Sequence, residues 1–101
     1  MNNIEDILKA HNLSLRALSS LLRIGAKVVY CYNSDADRVK PENRKIIEKG
    51  LKILENNPDL IAPKLDGKKE YIYSWYEGVY NLHSINMAKF DKKFRALYES
   101  E

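Results

Sequence analysis

Apolar residues recur at helical spacing in four stretches of the first 56 residues, separated by polar residues, a glycine or proline. The first helix is expected to begin at Asn2 or Asn3, because Asn2 and Glu5 have the spacing of a capping box, and to stop at His11. The second is expected to begin after Ser14, which is a good N-cap. The inward residues expected in these helices are Ile4, Ile7, Leu8, Leu18, Leu21 and Leu22.

A tight break at 23–25 separates the second helix from the third, which is predicted from about Ala26 to Tyr32. A polar break at 33–37 follows, and a fourth helix begins after Pro41, because proline suits a first helical turn. This helix is expected to end at 56–58, with a short fifth turn at 60–61 that closes the core. The inward residues expected here are Val29, Tyr32, Ile46, Ile47, Leu51 and Leu54.

The last third of the chain has a different pattern. A linker is expected around 62–67, followed by an aromatic-rich segment at 70–80 and an amphipathic helix with Met87, Phe90, Phe94, Leu97 and Tyr98 on one face. The outer face of that helix is expected to hold Lys92, Lys93 and Arg95. The aromatic segment is compatible with a helix or with a β-hairpin about 77–78, and the helix is favoured because a lone hairpin is marginal in water.

Composition narrows the class of protein. The chain has 101 residues, 45% of them hydrophobic and 31% charged, as expected for one small globular domain, or for a very small domain with an appendage. No apolar stretch approaches the length of a membrane span, and the first residues do not resemble a signal peptide. The single cysteine, Cys31, favours a reducing cytoplasm.

The chemistry expected of an enzyme or a metal site does not emerge from the sequence. His11 and His83 are isolated, no metal-ligand spacing or glycine-rich phosphate loop is present, and Cys31 has no histidine near it in sequence. We therefore expect neither catalysis, nor a metal, nor a cofactor, nor a small-molecule substrate. The net charge of +3 lies entirely within residues 1–65, where 11 Lys/Arg face 8 Asp/Glu, and this distribution suits a nucleic-acid partner for that part.

The window from Leu13 to Pro41 is the most informative. A small residue, Ser19, precedes the break at 23–25, and apolar residues follow it in the next helix. Residues 13–32 and the sequence Arg38-Val39-Lys40-Pro41-Glu42 resemble the lambda-repressor-like helix-turn-helix family, which includes phage Cro and repressor proteins. The resemblance covers about residues 3–60. It implies a mainly α fold, a four- to five-helix bundle over residues 1–65, with residues 66–101 as a C-terminal extension that is either helical or a hairpin plus a helix.

The resemblance also implies a partner, double-stranded DNA, which one helix reads in the major groove. By position, the family's base-reading residues fall on Ala26, Lys27, Val28, Tyr30 and Cys31. Contacts with DNA phosphates would fall on Ser14, Arg16, Arg38, Lys40, Asn43 and Lys45. The implied function is that of a sequence-specific transcriptional regulator, a phage or bacterial repressor in the cytoplasm that associates with the nucleoid.

A second hypothesis is a helix-turn-helix scaffold that binds another protein, as an antitoxin or a phage-encoded inhibitor does. Leu15 stands where the family often has glutamine, Arg23 stands where it often has glycine, and Asp35 and Asp37 lie near the expected phosphate path. Leu15, Asp35 and Asp37, together with the aromatic residues expected at the surface, are the features that favour this second hypothesis, and DNA binding stays the main one.

The aromatic segment leaves two main alternatives open: extra core over the N-terminal helices, or an interface. Stacking of single-stranded nucleic acid is less favoured, because few basic residues flank the aromatics. A DNA-binding domain of modest charge usually acts as a homodimer on two half-sites. We therefore predict a dimer or partner interface in the C-terminal extension, formed by Trp75, Tyr76, Val79, Phe90, Phe94 and Leu97.

Overall fold

The computed structural model describes residues 3–63, 73–76, 79–82 and 85–100, with side chains over 3–63 and 89–100. Its fold is mainly helical. The elements in chain order are α1 (Ile4–Ala10), α2 (Leu15–Leu22), α3 (Ala26–Ser34), a 3-10 turn (Ala36–Arg38), α4 (Pro41–Asn56), β1 (Tyr73–Tyr76), β2 (Val79–Leu82) and α5 (Ile85–Ser100).

The four N-terminal helices lie where the apolar pattern predicts them, and local signals explain the starts of α1, α2 and α4. The Asn3 side chain accepts a hydrogen bond from the Glu5 amide at 3.0 Å, and the Ser14 hydroxyl accepts one from the Ala17 amide at 3.0 Å. Pro41 occupies the first turn of α4. α3 continues to Ser34, two residues past its predicted end, and the Ser34 hydroxyl donates to the Tyr30 carbonyl at 3.1 Å.

One hydrophobic core joins α1, α2, α3, α4 and α5. Its most buried members include Leu8, Leu18, Leu21, Val29, Ile47, Ile53, Leu54 and Phe94. α2 is the element that the others surround, because α1, α3, α4 and α5 all contact it and β1 lies beside it.

The predicted fifth turn at 60–61 is wrong. Leu60 follows a turn closed by a hydrogen bond from its amide to the Asn57 carbonyl, and Ile61 is exposed. The chain is instead tied to the end of α1: the Ala62 amide donates to the His11 carbonyl at 2.9 Å, and the buried His11 ring hydrogen-bonds the Leu60 carbonyl. These bonds satisfy backbone groups that a helical turn would have satisfied internally.

The helix favoured for the aromatic segment is also wrong. β1 and β2 form an antiparallel hairpin with Tyr73 opposite Leu82 and Trp75 opposite Tyr80. A two-stranded hairpin needs support from another element, and the position of β1 beside α2 supplies it. Trp75, Tyr76 and Val79 lie in these strands, and their side chains are outside the described part, so their predicted interface role stays a prediction.

The predicted interface role of Phe90 and Phe94 is wrong. Phe90 is 4% exposed and Phe94 is fully buried, and both belong to the core that contains the N-terminal helices. Leu97 is half-buried against the same core. Phe90 and Phe94 are therefore covered within the chain itself, and the predicted interface role of Leu97 stays a prediction.

Candidate nucleic-acid interface

The turn between α2 and α3 has a definite geometry. Arg23 adopts the left-handed conformation, with φ 60° and ψ 38°, and its amide donates to the Ser20 carbonyl. The next amide, of Ile24, donates to the Ser19 carbonyl at 3.0 Å. This pair of bonds is the Schellman arrangement, which usually has glycine at the left-handed position. The break predicted at 23–25 is confirmed, and it lets α3 begin only four residues after α2 ends.

α2 and α3 contact each other, and both bury small or branched residues. Ser19 and Ser20 are both buried in α2, and the hydroxyl of Ser19 donates to the Arg16 carbonyl at 2.6 Å, so its burial leaves no unpaired donor. Val29 is the one fully buried residue among the nine of α3. A small residue on α2 and a buried valine on α3 are the features that the sequence predicts for a steep crossing of two helices.

The outer face of α3 is exposed along its length. Lys27, Tyr30, Cys31 and Ser34 are all exposed and follow the spacing of a single helical face, with Tyr30 at 49% exposure. We call these four residues the α3 outer face. Three of the predicted base-reading residues therefore lie on it.

The other two predicted base contacts, Ala26 and Val28, are half-buried, and Val28 packs against the core. They lie at the margin of the α3 outer face. Val28 contributes to anchoring the helix as well as to its surface.

The predicted phosphate contacts lie in three places. Ser14 and Arg16 are at the beginning of α2, where Ser14 already caps the helix and Arg16 is exposed. Arg38 is exposed on the 3-10 turn, which packs against α3. The remaining three follow that turn: Lys40 and Lys45 are exposed, and Asn43 is half-buried.

The two acidic residues after α3 have local structural partners. The Asp35 carboxylate accepts a hydrogen bond from the Asp37 amide at 3.2 Å and so caps the 3-10 turn. Asp37 is 3.7 Å from the Arg44 guanidinium, and its side chain is 95% exposed, so solvent screens this ion pair. Over residues 3–63, ten Lys/Arg face eight Asp/Glu, which leaves this part of the chain mildly basic.

The inner edge of α3 carries a titratable group with a shifted pKa. Tyr32 is half-buried, and its hydroxyl lies 3.4 Å from a carboxylate oxygen of Glu48 on α4. Burial raises the pKa of Tyr32 above its ordinary value, and the Glu48 charge and hydrogen bond raise it further, while Arg44 lowers it. This hydroxyl links α3 to α4.

The contacts between α2 and α5 were missed by sequence reasoning. The Arg23 guanidinium donates two hydrogen bonds to the Asp91 carboxylate, from Nη1 to Oδ1 at 2.8 Å and from Nη2 to Oδ2 at 3.0 Å. Arg95, expected on the outer face of α5, is half-buried and donates to the Leu21 carbonyl at 3.1 Å. Sixty-eight residues separate Arg23 from Asp91, and no local pattern in the sequence signals a pairing over that distance.

Tyr98 completes this junction. The Lys49 ammonium lies 4.2 Å from the centroid of its ring and the Arg95 guanidinium 4.5 Å from it. The same ring stacks on Phe94 with centroids 6.0 Å apart. α5 is thus joined to α2 and α4 by polar as well as apolar contacts.

Two features are absent from the residues that the structure describes. In that part of the chain no group of three or more His, Cys, Asp or Glu side chains is placed to hold a metal ion. None of the helices there combines the length and the apolar character that crossing a bilayer requires.

Comparison with known proteins gives no match to a protein-family model, to a curated protein or to a solved structure. The resemblance to the lambda-repressor-like family therefore stays a prediction drawn from residues 13–42.

Proposed function

We propose that this chain binds double-stranded DNA by placing α3 in the major groove, and that it acts as a homodimeric transcriptional repressor. The observation that carries the proposal is the α3 outer face. A nine-residue helix that buries one side chain completely, follows a tight turn and exposes Lys27, Tyr30, Cys31 and Ser34 along one side has the shape and chemistry of a groove-reading element.

Two of these exposed residues, Lys27 and Tyr30, have chemical partners in the groove. Lys27 can donate to guanine O6 and N7, and the ring of Tyr30 can contact a thymine methyl group or a sugar. Arg16, Arg38 and Lys40 would then hold phosphates on either side of α3. Because the domain is only mildly basic, one copy would bind weakly, and two copies on half-sites ~34 Å apart would supply the missing affinity.

The test is selection of duplexes from a random library, followed by anisotropy titrations at several salt concentrations. Lys27→Ala should weaken the selected site about tenfold and relax the preference at one base pair, because one base contact is worth roughly 1–3 kcal/mol. Arg38→Ala should weaken all sequences alike and reduce the salt slope by about one, because it removes one phosphate contact.

Lys52→Ala is the matched control, because Lys52 is an exposed lysine in the second half of α4, outside the proposed surface. It should leave affinity and salt slope unchanged. A library that yields no enriched sequence, or equal effects of Lys27→Ala and Lys52→Ala, would contradict the proposal.

A second candidate function is binding of a basic protein. The half-exposed ring of Tyr30 lies on the same helix that exposed Asp35 and Asp37 follow, and an aromatic surface bordered by carboxylates suits a cationic partner. If this second function is correct, the titrations above should show no salt-dependent binding to any duplex.

A further inference from the structure

Two guanidinium groups hold the carboxyl end of α2, one from Arg23 in the turn and one from Arg95 on α5. Arg23 Nη1 donates to the Ser20 carbonyl at 2.9 Å while the same guanidinium binds Asp91, and Arg95 reaches from α5 to the Leu21 carbonyl. Cations are favoured at the C-terminal end of a helix, where carbonyl groups lack partners within the helix. The two arginines therefore satisfy the end of α2 and tie it to α5 in the same arrangement.

Arg23 is an unusual choice for its backbone position. The left-handed conformation is unfavourable for a residue with a side chain, whereas glycine adopts it freely. The structure shows what arginine contributes there: a bidentate ion pair with Asp91, whose side chains are 28% and 13% exposed. Two parallel N–H···O bonds fix direction as well as distance, so this pair constrains the turn more closely than a single exposed contact would.

The position of Asp91 is set by the packing of α5. Its neighbour Phe90 and Phe94, one turn further along α5, are buried in the core, so the position of Asp91 is set by core packing. On the other side of the ion pair, α3 begins three residues after Arg23. A chain of fixed contacts therefore runs from the core through α5 and Asp91 to the turn that sets the direction of α3.

We propose that Asp91 is a positioning residue for α3, holding the turn at Arg23 so that the α3 outer face meets its ligand in one orientation. This inference rests on the proposed DNA-binding function, which it extends to a residue outside the helix-turn-helix. It also gives α5 a role in binding that requires no contact with DNA.

The sign of one substitution separates positioning from charge. Asp91→Asn removes a negative charge, which by electrostatics alone strengthens binding to a polyanion. Positioning predicts the reverse: affinity for the selected duplex should fall about tenfold, within the usual range of coupling between sites, with an unchanged salt slope because no phosphate contact is lost. The titrations are made at a temperature where both proteins are fully folded.

Glu99→Gln is the matched control, since it removes the same charge from the same helix at a 67% exposed side chain that pairs with Arg95 at 3.4 Å. It should bind DNA as tightly as the wild type or slightly more tightly. An Asp91→Asn variant that binds as tightly as Glu99→Gln would overturn the positioning role.

Amide hydrogen exchange in the absence of DNA provides a second measurement. The Arg23 and Ile24 amides, which close the turn, should exchange about tenfold faster in Asp91→Asn, while the Leu13 amide, which donates to Leu8 at the end of α1, should keep its wild-type rate. Equal acceleration at all three amides would show general destabilisation and would overturn the inference. A wild-type chain that binds no duplex would overturn the proposed function, and the hold on the turn would still be decided by these exchange rates.

Discussion

α2 and α3 are consecutive helices of nearly equal length, yet they are used in opposite ways. Six of the eight residues of α2, Ala17 to Leu22 without interruption, are buried, whereas α3 buries only Val29 of its nine. The contrast shows that α2 is part of the core on every side, while α3 is attached along one edge. A helix that the fold holds by one edge leaves its remaining surface free for binding.

The neighbours of the two helices explain the difference. α2 lies among four helices with β1 beside it, and even its polar residues are satisfied internally, since Ser19 and Ser20 both donate to the Arg16 carbonyl. α3 contacts α2, α4 and the 3-10 turn. Because its exposed residues pack on little, they should contribute little to the stability of the fold.

The largest effect should come from truncating the centre of α2. Leu18 is fully buried, so Leu18→Ala should lower the free energy of unfolding by about 2–5 kcal/mol, through lost burial and the cavity left behind. Tyr30→Ala on the α3 outer face should change it by no more than about 0.5 kcal/mol. Urea unfolding followed by circular dichroism measures both, and similar losses in the two variants would remove the distinction between the helices.

A smaller effect, with a sign that can be reversed, is expected where α4 meets α2. A Cβ atom at Gly50 would lie 2.6 Å from Leu22 Cδ2, and Leu22 is buried. Gly50→Ala should therefore destabilise the protein by about 1 kcal/mol, because overpacking of about 1–3 kcal/mol exceeds the gain of roughly 1 kcal/mol in helix propensity.

Shortening Leu22 should reverse the sign of the effect of Gly50→Ala on stability. In a Leu22→Ala background the contact is gone, and Gly50→Ala should stabilise the protein by about 0.5–1 kcal/mol. The double-mutant cycle in urea unfolding gives this coupling directly. An unchanged sign in the two backgrounds would mean that α2 is not packed tightly against α4.

The sequence predicts those features of the fold that depend on contacts within one helix. The starts of α1, α2 and α4 depend on Asn3, Ser14 and Pro41, whose effects act within one helical turn, and all three are legible in the sequence. The exposure of Lys27 and Tyr30 follows from the same helical spacing. Local signals were sufficient wherever a residue acts on its own helix.

Contacts between distant segments could not be predicted in this way. The stripe of Phe90 and Phe94 predicts an amphipathic helix, but nothing in its spacing says which surface covers it, and the structure covers it with the core of its own chain. In the aromatic segment, the apolar spacing favours a helix and the composition favours strands. The segment forms a hairpin, which is supported by the contact between β1 and α2. From the sequence alone, Arg23 is a poor residue for a left-handed turn position, and only the structure shows its ion pair with Asp91.

The smallest predicted effect concerns the edge by which α3 is attached. The pKa of Tyr32 is raised in the folded protein by burial and by Glu48, so the folded state holds this proton more tightly than the unfolded chain. The associated stability is fully present below the unfolded value of about 10 and is lost as pH rises through the folded pKa. The free energy of unfolding of the wild type should therefore fall more steeply above pH ~10 than that of Tyr32→Phe, in which no hydroxyl titrates.

Glu48→Gln, which removes the charge and weakens the hydrogen bond, should bring the Tyr32 pKa closer to its ordinary value in an NMR titration of the ring carbon bonded to oxygen. Parallel stability curves for wild type and Tyr32→Phe would mean that the contact between Tyr32 and Glu48 does not help to attach α3 to α4.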